Sequence, residues 1–501
     1  MNYACLSSAT LNGLKVHPVM VEVDFDNRSV FNDIDVVGLG DVAIKESRKR
    51  VKSAILNSGF FLPHGKFVVN LAPADLKKEG SLLDLAMALC ILASTGLIKV
   101  SEEVLAIGEL SLNGEVKRVN GVLPILLHLS ERFEGTVLIP KDNAVEASCV
   151  KGLSVYGVSS LRECVEFLRG DLVLEKVEYK GITRDEVRYD VDFSDVRGQA
   201  VVKRALEVAA AGFHNVLMIG NPGSGKTMLA RRVPTILPPM FEEEIVETSK
   251  IYSVAGHVGL IKERPFRAPH HTASAVAIIG GGNEPRPGEV SLAHNGVLFL
   301  DEFPEFKRDV LEALREPLEE GTITISRAKT SVTFPASFML IAAMNPCPCG
   351  NLGDPKQPCV CSPKDITRYR KKVSSPLLDR IDVIVHVPKV SFDEMMTKAK
   401  GERSEEIRER VQKAWEIQAF RFKGERKRYN SRMTHKMLEE HAKIDSKAEE
   451  FLKKAVDKFG FSGRAIDKVL RVARTIADLE GSERIAFQHV AEALQYRSKE
   501  I

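Results

Sequence analysis

Eight consecutive residues near the middle of the chain have the spacing of a phosphate-binding loop: Gly220-Asn221-Pro222-Gly223-Ser224-Gly225-Lys226-Thr227. This run fits G-x-x-x-x-G-K-[ST], and it lies between a short apolar segment, 216–219, and a helical pattern that begins at Met228. Glycines let the backbone curl so that several N–H groups point at one phosphate, and the helix N-terminus adds positive potential. We therefore expect the loop to bind ATP, with Lys226 at the β- and γ-phosphates and the Thr227 hydroxyl on Mg²⁺.

Two carboxylates, Asp301 and Glu302, follow a second apolar segment, 296–300. An apolar strand that ends in two acidic residues is the Walker B pattern of ATP-hydrolysing proteins. In that pattern Asp301 would hold the Mg²⁺ shell, and Glu302 would polarise the attacking water. The alternative is a strand followed by an ordinary acidic turn, but the phosphate-binding loop earlier in the chain favours the catalytic interpretation.

Four of the eight cysteines, Cys347, Cys349, Cys359 and Cys361, form a C-x-C…C-x-C pattern. Four thiolates can hold a tetrahedral Zn²⁺, although the single-residue spacing differs from that of C-x-x-C knuckles. Zinc and free thiols therefore stay open as equal alternatives. The other four cysteines are scattered, and we expect them to be reduced and mostly buried.

Segment 321–334 alternates between polar and apolar residues on both sides of Arg327-Ala328-Lys329, which predicts a hairpin with a basic tip. A solvated hairpin without a ligand is the alternative to a phosphate-binding one. The overall charge does not decide between them, because 71 basic and 68 acidic residues give a net charge of only +3. The adjacent His270 and His271 are expected to be structural or interfacial, since loop neighbours rarely supply a complete metal site.

The composition is that of a folded chain with several domains. Its 501 residues suggest roughly two to four domains, and 44% hydrophobic with 28% charged residues can build real cores. The N-terminus lacks the basic, apolar and cleavage-site order of a signal peptide. The most apolar run, 85–100, is broken by polar residues and is too short to span a bilayer. We expect a cytoplasmic protein without a membrane segment.

The residues that carry chemistry need a scaffold, and the sequence pattern divides the chain into an α/β part, a second α/β part and a helical part. Residues 1–177 mix strand and helix patterns, 178–192 are a charged linker, 193–390 hold the nucleotide motifs, and 391–501 are typical of a polar helical lid. The central part is expected to contain a parallel sheet. In the first part the pattern predicts strands at 19–25 and 67–71, helices at 41–58 and 81–93, and a hairpin over 104–116 that turns at Asn113-Gly114.

Together these motifs resemble the magnesium-chelatase-like AAA+ ATPase family, close to its ComM/YifB branch, over nearly the whole chain. Segments 265–274, 345–350 and 471–479 carry the resemblance outside the nucleotide motifs. It implies a P-loop core with a parallel sheet, a helical C-terminal lid and a ring-forming, hexameric ATPase. It also implies that Val196 and Gly198 border the adenine, and that Asn345 is the sensor 1 residue that hydrogen-bonds the water or the γ-phosphate.

The resemblance assigns roles to two arginines. Arg380 would be an arginine finger that reaches the nucleotide of a neighbouring subunit, because a guanidinium offers forked donors for developing phosphoryl charge. A surface ion pair with Asp379 or Asp382 is the alternative for this side chain. Arg464 would be the sensor 2 arginine, in contact with the γ-phosphate of its own subunit.

ComM members of the family are helicases that drive branch migration of recombination intermediates in natural transformation. In related ring helicases such hairpins line the pore, so Arg327 and Lys329 would grip single-stranded or branched DNA through its phosphates. The alternative is a magnesium-chelatase-type or chaperone-like remodelling ATPase that acts on a protein or tetrapyrrole partner. True magnesium-chelatase ATPase subunits lack the N-terminal part seen in this sequence, which favours DNA.

Residues 1–177 resemble the domain of Lon-type proteases, which has a ribosomal-S5-like fold, at 78–81 and 108–114. Lon proteases use a serine after the first of these segments and a lysine at the start of a later helix. Matching the segments puts Leu82 and Leu123 at those two positions, and Ser81 is one place off register. A nucleophile needs its base within hydrogen-bond reach. We therefore expect an inactive domain that binds or scaffolds.

Overall fold

The computed structural model describes residues 2–29, 33–38, 41–73, 81–182, 189–282, 285–326, 331–354, 356–390, 394, 401–424 and 429–497. Within these residues the chain forms an N-terminal sheet, a central sheet and a C-terminal group of helices. The predicted α/β fold class is confirmed.

The N-terminal part is a mixed sheet covered by helices. Its sheet order is β3-β4-β2-β1-β5-β8-β9, and β6 and β7 form a small separate hairpin. The strands are β1 (Tyr3–Asn12), β2 (Lys15–Asp26), β3 (Asp33–Val37), β4 (Lys66–Ala72), β5 (Val104–Ala106), β6 (Glu109–Leu110), β7 (Val116–Lys117), β8 (Thr136–Pro140) and β9 (Ser154–Val158). The helices are α1 (Asp41–Asn57), α2 (Asp84–Ser94), α3 (Val122–Leu129), α4 (Ala144–Ala147) and α5 (Leu161–Arg169).

Local patterns explain most of this part. β2 and β4 alternate between buried and partly exposed residues, as expected for strands with one face on a core. Every residue of α2 is buried, which accounts for its apolar sequence on all sides. The predicted hairpin is correct only at its turn: β6 and β7 pair around Asn113-Gly114, whereas β5 runs parallel to β1 and β8 in the main sheet.

The central sheet contains β10 (Val216–Ile219), β11 (Phe266–Arg267), β14 (Val297–Leu300), β17 (Met339–Met344) and β18 (Val383–His386), in the order β11-β14-β17-β10-β18. All neighbouring strands are parallel. Every residue of β10, β14 and β17 is buried, because helices cover both faces. The continuous apolar runs in the sequence correspond to these strands. Two hairpins accompany the sheet: β12 (Gly280–Gly281) with β13 (Arg286–Pro287), and β15 (Thr322–Ser326) with β16 (Ser331–Pro335).

The helices of the central part surround this sheet, and the helices of the C-terminal part pack on it. The first group is α6 (Ala200–Gly212), α7 (Lys226–Ile236), α8 (Glu242–Val254), α9 (Ala275–Ile279), α10 (Glu289–Leu292), α11 (Arg308–Ala313), α12 (Arg315–Glu320), α13 (Pro363–Arg370) and α14 (Ser375–Leu378). The second group is α15 (Ser404–Arg421), α16 (His435–His441), α17 (Ser446–Phe459), α18 (Gly463–Leu479) and α19 (Phe487–Gln495).

The two groups of helices share one hydrophobic core. Phe213, at the end of α6, stacks on Tyr429 with ring centroids 4.6 Å apart, and the Trp415 indole N–H donates to the Ala210 carbonyl over 3.0 Å. The lid is therefore fixed against the central sheet by buried aromatic residues as well as by its connection along the chain.

The N-terminal part touches the central part along α8. The backbone N–H of Gly121 donates to the Ser253 carbonyl over 3.0 Å, and Arg118 donates to the Gly256 carbonyl over the same distance. The buried carboxylate of Glu146 accepts a hydrogen bond from the Ser253 hydroxyl. Burial raises the pKa of Glu146, which is consistent with a carboxyl group enclosed between the two parts.

Candidate nucleotide site

The predicted phosphate-binding loop connects the buried strand β10 to α7, as the motif requires. Gly225 precedes the helix with a φ of +91°, a conformation that a side chain would strain. The Lys226 ammonium lies over the loop and donates to the carbonyls of Gly220 and Asn221 at 2.6 and 3.1 Å. Burial lowers the pKa of Lys226, and the nearby Asp301 carboxylate opposes that shift. The Lys226 ammonium therefore binds carbonyls of its own loop, and phosphate oxygens bound there would be stronger acceptors than these carbonyls.

The pair predicted to hold Mg²⁺ is assembled in the folded chain. The Thr227 hydroxyl donates to the Asp301 carboxylate over 2.7 Å, and the other oxygen of Asp301 accepts from the backbone N–H of Glu302 at 2.9 Å. Asp301 follows β14, which is two strands away from β10 in the sheet. A hydroxyl and a carboxylate side by side are oxygen ligands suited to Mg²⁺, so the residues fit this ion.

Glu302 has a partner that the sequence did not suggest. Its carboxylate lies 2.8 Å from Nδ1 of His271, and its backbone is left-handed with a φ of +53°. His271 follows β11, the strand beside β14, so the adjacency of two short parallel strands brings the two side chains together. The expectation of a structural or interfacial role for His271 missed this contact, because a strand of two residues such as β11 has almost no pattern in the sequence.

Asn345 directly follows β17, the strand between β10 and β14. Its side-chain oxygen lies 3.4 Å from the Lys226 ammonium. The structure therefore brings the predicted sensor 1 residue beside the predicted phosphate-binding lysine. A polar side chain at this place can contact a γ-phosphate or a water near it.

The segment predicted to border the adenine packs beside the loop. Val196 is fully buried, and its carbonyl accepts from Lys203 over 2.6 Å. A Cβ atom at Gly198 would come within 2.9 Å of the Glu394 carboxylate. The Gln199 amide N–H donates to the Pro388 carbonyl over 2.6 Å. In the part of the chain that the structure describes, Gln199 Oε1 and the Ser224 hydroxyl are buried without a hydrogen-bond partner, as expected next to a polar ligand.

The cysteine cluster, Cys347, Cys349, Cys359 and Cys361, comes together in space. All four sulfurs lie within 4.8 Å of one another, and Cys347 is buried. Hydrogen bonds from the backbone N–H groups of Asn351 and Val360 lower the pKa of Cys349 to about 6. Four convergent sulfurs of this kind match the ligand set of a structural zinc site.

Arg380 lies at the opposite edge of the sheet from the phosphate-binding loop, because it precedes β18, which runs parallel to β10. Its guanidinium contacts Glu319 and donates to the Pro376 carbonyl over 2.9 Å. The alternative of an ion pair with Asp379 or Asp382 therefore named the wrong acidic residue, because the partner is Glu319. Asp382 instead lies 3.1 Å from His214.

Arg464 begins α18 close to Arg380. Burial, and then the positive charges of Arg315 and Arg464, lower the pKa of Arg380. One turn further along α18, Lys468 donates to the Ile381 carbonyl over 3.4 Å. Arg464 thus shares the edge of Arg380 and is separated by the length of the strands from the loop of its own chain, where the sensor 2 interpretation had placed it.

Two sets of predicted residues have different outcomes. Arg327 and Lys329 lie outside the described residues; the hairpin strands β15 and β16 lead to them, with Ser326 paired to Ser331 at the last described position. Leu82 and Leu123, at the positions of the Lon serine and lysine, are both buried in one apolar cluster.

In the described residues, no helix is long and apolar enough to cross a membrane.

This arrangement of a glycine-rich loop, two carboxylates and Asn345 on a parallel sheet is typical of P-loop proteins of the AAA+ class. Three family profiles match the chain: "Subunit ChlI of Mg-chelatase" at residues 21–143, "Magnesium chelatase, subunit ChlI" at 192–395, and "Magnesium chelatase, subunit ChlI C-terminal" at 401–497.

Similar proteins cover the whole length. The chain is 42% identical to "Competence protein ComM" of Haemophilus influenzae over 99% of this chain and 98% of that protein. It is 39% identical to "Uncharacterized protein YifB" of Salmonella typhimurium over 99% of this chain and 97% of that protein. A 26% identity to the "Magnesium-chelatase 67 kDa subunit" of Heliobacterium mobile covers 30% of this chain and 27% of that protein. The chain belongs to the magnesium-chelatase-like AAA+ family, in the branch that contains ComM and YifB.

Proposed function

We propose that this protein is an ATP-hydrolysing ring motor that moves DNA and promotes branch migration during recombination and natural transformation. The observation that carries the ATPase part is the Thr227–Asp301 hydrogen bond beside Lys226, Asn345 and Glu302. Full-length similarity to ComM supports the DNA part. Such a motor works in the cytoplasm, on the chromosome. The domain limits we propose are 1–177, 178–192, 193–390 and 391–501.

In this proposal Lys226 would neutralise the β- and γ-phosphates, and Thr227 and Asp301 would hold Mg²⁺, whose positive charge would stabilise the phosphates. The Glu302 carboxylate separates from His271 and then orients the attacking water. Asn345 contacts the γ-phosphate or that water. Val196 and Gly198, with the buried Gln199, flank the base. A zinc ion held by the cysteine cluster completes the set of cofactors.

We also propose that the protein assembles as a hexamer. Arg380 and Arg464 share an edge of the sheet that faces away from the loop of their own chain, so both are available to a neighbour's nucleotide. A trans contact by Arg464 replaces the cis contact that the motif suggested. The family supports assembly in general, because AAA+ proteins usually oligomerise.

For DNA binding we propose the tip of the β15–β16 hairpin, with Arg327 and Lys329. Ring closure would bring several such tips to one channel, and their charges suit a polyanion that passes through it. Phosphate contacts of this kind are independent of base sequence and weaken with ionic strength.

The second candidate is a chelatase-type or chaperone-like remodelling ATPase. The names of the matching profiles and the partial match to a magnesium-chelatase subunit favour it. In that case nucleotide hydrolysis would respond to a protein or tetrapyrrole partner, and branched DNA would have no effect on the rate.

The deciding experiment measures ATP hydrolysis and DNA binding with linear and branched DNA at two salt concentrations. We expect branched DNA to stimulate the wild type, and Arg327→Ala/Lys329→Ala to weaken DNA binding and flatten its salt dependence while basal hydrolysis persists. Lys453→Ala/Lys454→Ala, on the exposed face of α17, is the matched control for lost positive charge. Unchanged DNA binding in the hairpin variant would refute the hairpin assignment. A wild type that binds no DNA would favour the remodelling candidate.

A further inference from the structure

The cysteine cluster lies in a segment with little structure of its own. Between the end of β17 and the start of α13 the described residues form no helix or strand, and from 351 to 362 none of them is buried. Val360 is 82% exposed. An irregular loop without a hydrophobic core must be ordered by other interactions. A metal ion bound by four side chains can order a small loop in this way.

The four cysteine sulfurs are arranged as a metal site requires. Cys347 and Cys349 are 3.4 Å apart, and each lies 3.6 Å from Cys359. Backbone N–H groups point at two of the sulfurs: that of Leu352 lies 3.3 Å from Cys347 Sγ, and that of Cys349 lies 3.4 Å from Cys361 Sγ. Tetrahedral zinc at ~2.3 Å from each sulfur needs sulfurs roughly 3.8 Å apart, so a small expansion of the cluster would accommodate the ion.

The same loop forms one wall of the nucleotide site. The Asn221 side-chain N–H donates to the Gly350 carbonyl over 2.6 Å. Gly350 has a φ of +81°, and a Cβ atom there would come within 2.7 Å of the ring of Pro222. Gly350 follows Cys349 directly, so displacement of the cysteine cluster would displace the group on which the phosphate-binding loop rests.

On the other side of the loop a cavity of about 180 Å³ lies between the ends of β10, β17 and β18 and the cysteine segment. Its lining includes Ile219, Met344 and His386 from the strand ends, and Leu352 and Gly353 from the segment. The segment is therefore not closely packed on this side and has room to shift into the cavity if nothing holds it. The Asn221–Gly350 contact would be lost in such a movement.

We propose that a zinc ion bound by Cys347, Cys349, Cys359 and Cys361 holds Gly350 against Asn221 and Pro222, so that zinc occupancy sets the affinity of the phosphate-binding loop for ATP. This inference rests on the proposed ATPase function and extends it to regulation. Zinc binds all four cysteines as thiolates, so those that are still protonated release their protons on binding, with no change of oxidation state. The ligand chemistry is that of a soft-donor site for Zn²⁺, separate from the Mg²⁺ site at Thr227 and Asp301.

The test combines metal analysis with titration of a fluorescent ATP analogue on the full-length protein. Wild type purified without chelator should carry about one zinc per chain. Removal of zinc with a zinc-selective chelator should weaken binding of the analogue roughly three- to tenfold, as expected for one lost hydrogen bond, and added Zn²⁺ should restore it. Mg²⁺ stays in excess throughout, so the readout reports the cysteine site alone.

Two variants separate metal binding from its effect on the loop. Cys359→Ser/Cys361→Ser removes the sulfurs of the far arm and should lose both zinc and ATP affinity. Gly350→Ala keeps all four sulfurs but clashes with Pro222, so it should retain zinc and still lose affinity. Cys149→Ser, which removes a partly exposed thiol of the N-terminal part, is the control and should change neither quantity.

The possible failures are distinguishable. Zinc-free wild type would refute the metal site. A zinc-loaded wild type whose ATP affinity is unchanged by reversible zinc removal would refute the coupling and leave the metal site intact. A wild type that binds no ATP with or without zinc would refute the proposed ATPase function itself. If the double cysteine variant fails to fold, the chelation and restoration arm on wild type still decides.

Discussion

The edge of the central sheet at the carboxyl ends of its strands (the carboxyl edge) holds the candidate nucleotide site of one chain, whereas the opposite edge (the amino edge) gathers several positive charges. At the carboxyl edge Lys226 already contacts Asn345, and Thr227 already contacts Asp301. At the amino edge Arg380, Arg464 and Lys468 gather around the start of β18. Burial, and then the positive charges of Arg315 and Arg464, lower the pKa of Arg380. An anion from a second chain would relieve that repulsion, which is why we assign the amino edge to a neighbour's nucleotide.

One short strand connects the two edges. β10 leads into the phosphate-binding loop, and Asn215 directly before it donates to the Arg380 carbonyl over 2.8 Å. The Asn215 side-chain oxygen accepts from the backbone N–H of Leu340 at 2.9 Å. Displacement of the loop can therefore reach the arginine through a buried strand of four residues. The lid joins the same edge, because His214 lies between Asp382 and Thr475 of α18.

The largest expected effect is at the amino edge. Arg380→Ala should lower the ATP hydrolysis rate by roughly 10³–10⁵-fold, as removal of an arginine finger does, with ATP binding retained. Mixing Arg380→Ala subunits with Lys226→Ala subunits should recover part of the activity, because each mixed interface of one orientation has an intact loop and an intact arginine. The measurement is hydrolysis over a series of mixing ratios.

Size-exclusion chromatography of each mixture is the control, since the test requires that rings assemble. Absence of recovery at every ratio, with assembled rings, would mean that Arg380 acts within its own chain. The comparison of the two edges would then be wrong, and the contact with Glu319 would be the whole role of this arginine.

The next effect is at the carboxyl edge. Glu302→Gln should lower hydrolysis by roughly 10²–10⁴-fold while ATP and Mg²⁺ still bind, because the amide keeps the shape of the carboxylate but cannot polarise water. Lys226→Ala should instead impair nucleotide binding, since it removes the cation that pairs with the phosphates. A filter-binding assay beside a phosphate-release assay separates the two. Wild-type turnover by Glu302→Gln would show that another group activates the water.

The carboxyl edge was largely predictable from sequence, and the amino edge was not. Glycine spacing, apolar runs and terminal carboxylates are local signals, so the loop, β14 with Asp301, and β17 with Asn345 are where the motifs put them. The location of Arg464 depends on how α18 packs into the shared core through buried residues such as Val469, Val472 and Ile476. That docking is a tertiary property without a local signature in the sequence.

The same reasoning explains the smaller misses. β5 has the apolar character of a hairpin strand, but it pairs in parallel with β1 and β8. Parallel strands are not joined by a tight turn, so no turn residues in the sequence indicate this pairing. The His271–Glu302 contact arises from the order of strands, with β11 beside β14, and strand order is not encoded in adjacent residues. The cysteine cluster was visible as a pattern, yet its contact with the phosphate-binding loop through Gly350 required coordinates.

A smaller change at the carboxyl edge tests whether Glu302 is held back by its neighbour. His271→Ala should raise basal ATP hydrolysis by roughly two- to fivefold, because a partly exposed side-chain contact of this kind restrains the carboxylate by no more than ~1 kcal/mol. His270→Ala is the matched control: its ring lies beside His271 at 4.2 Å, but its hydrogen-bond partner is Thr272. A lower rate in His271→Ala alone would show instead that the histidine positions Glu302 for catalysis.

The smallest expected effect concerns the buried cation of the amino edge. Burial is the main reason that the pKa of Lys468 falls from 10.5 to about 8; the Asp382 carboxylate opposes this shift, and the positive charge of Arg497 adds to it. The folded state therefore binds its proton more weakly than the unfolded state. That penalty is complete below pH ~8 and falls away as the pH rises from about 8 towards 10.5, so this residue alone makes the fold more stable at higher pH.

Comparison of wild type with Lys468→Met isolates this contribution. Between about pH 7.5 and pH 9.5 wild type should gain up to ~2 kcal/mol relative to the variant, and the exposed-site variant Lys453→Met should track wild type. Urea unfolding followed at both pH values measures the difference, and Mg-ATP added to assembled rings should reduce it, because a neighbour's phosphates would stabilise the charged lysine. If nucleotide changes nothing in assembled rings, Lys468 lies outside the field of the neighbour's phosphates, and the cationic surface that completes the neighbour's site is confined to Arg380 and Arg464.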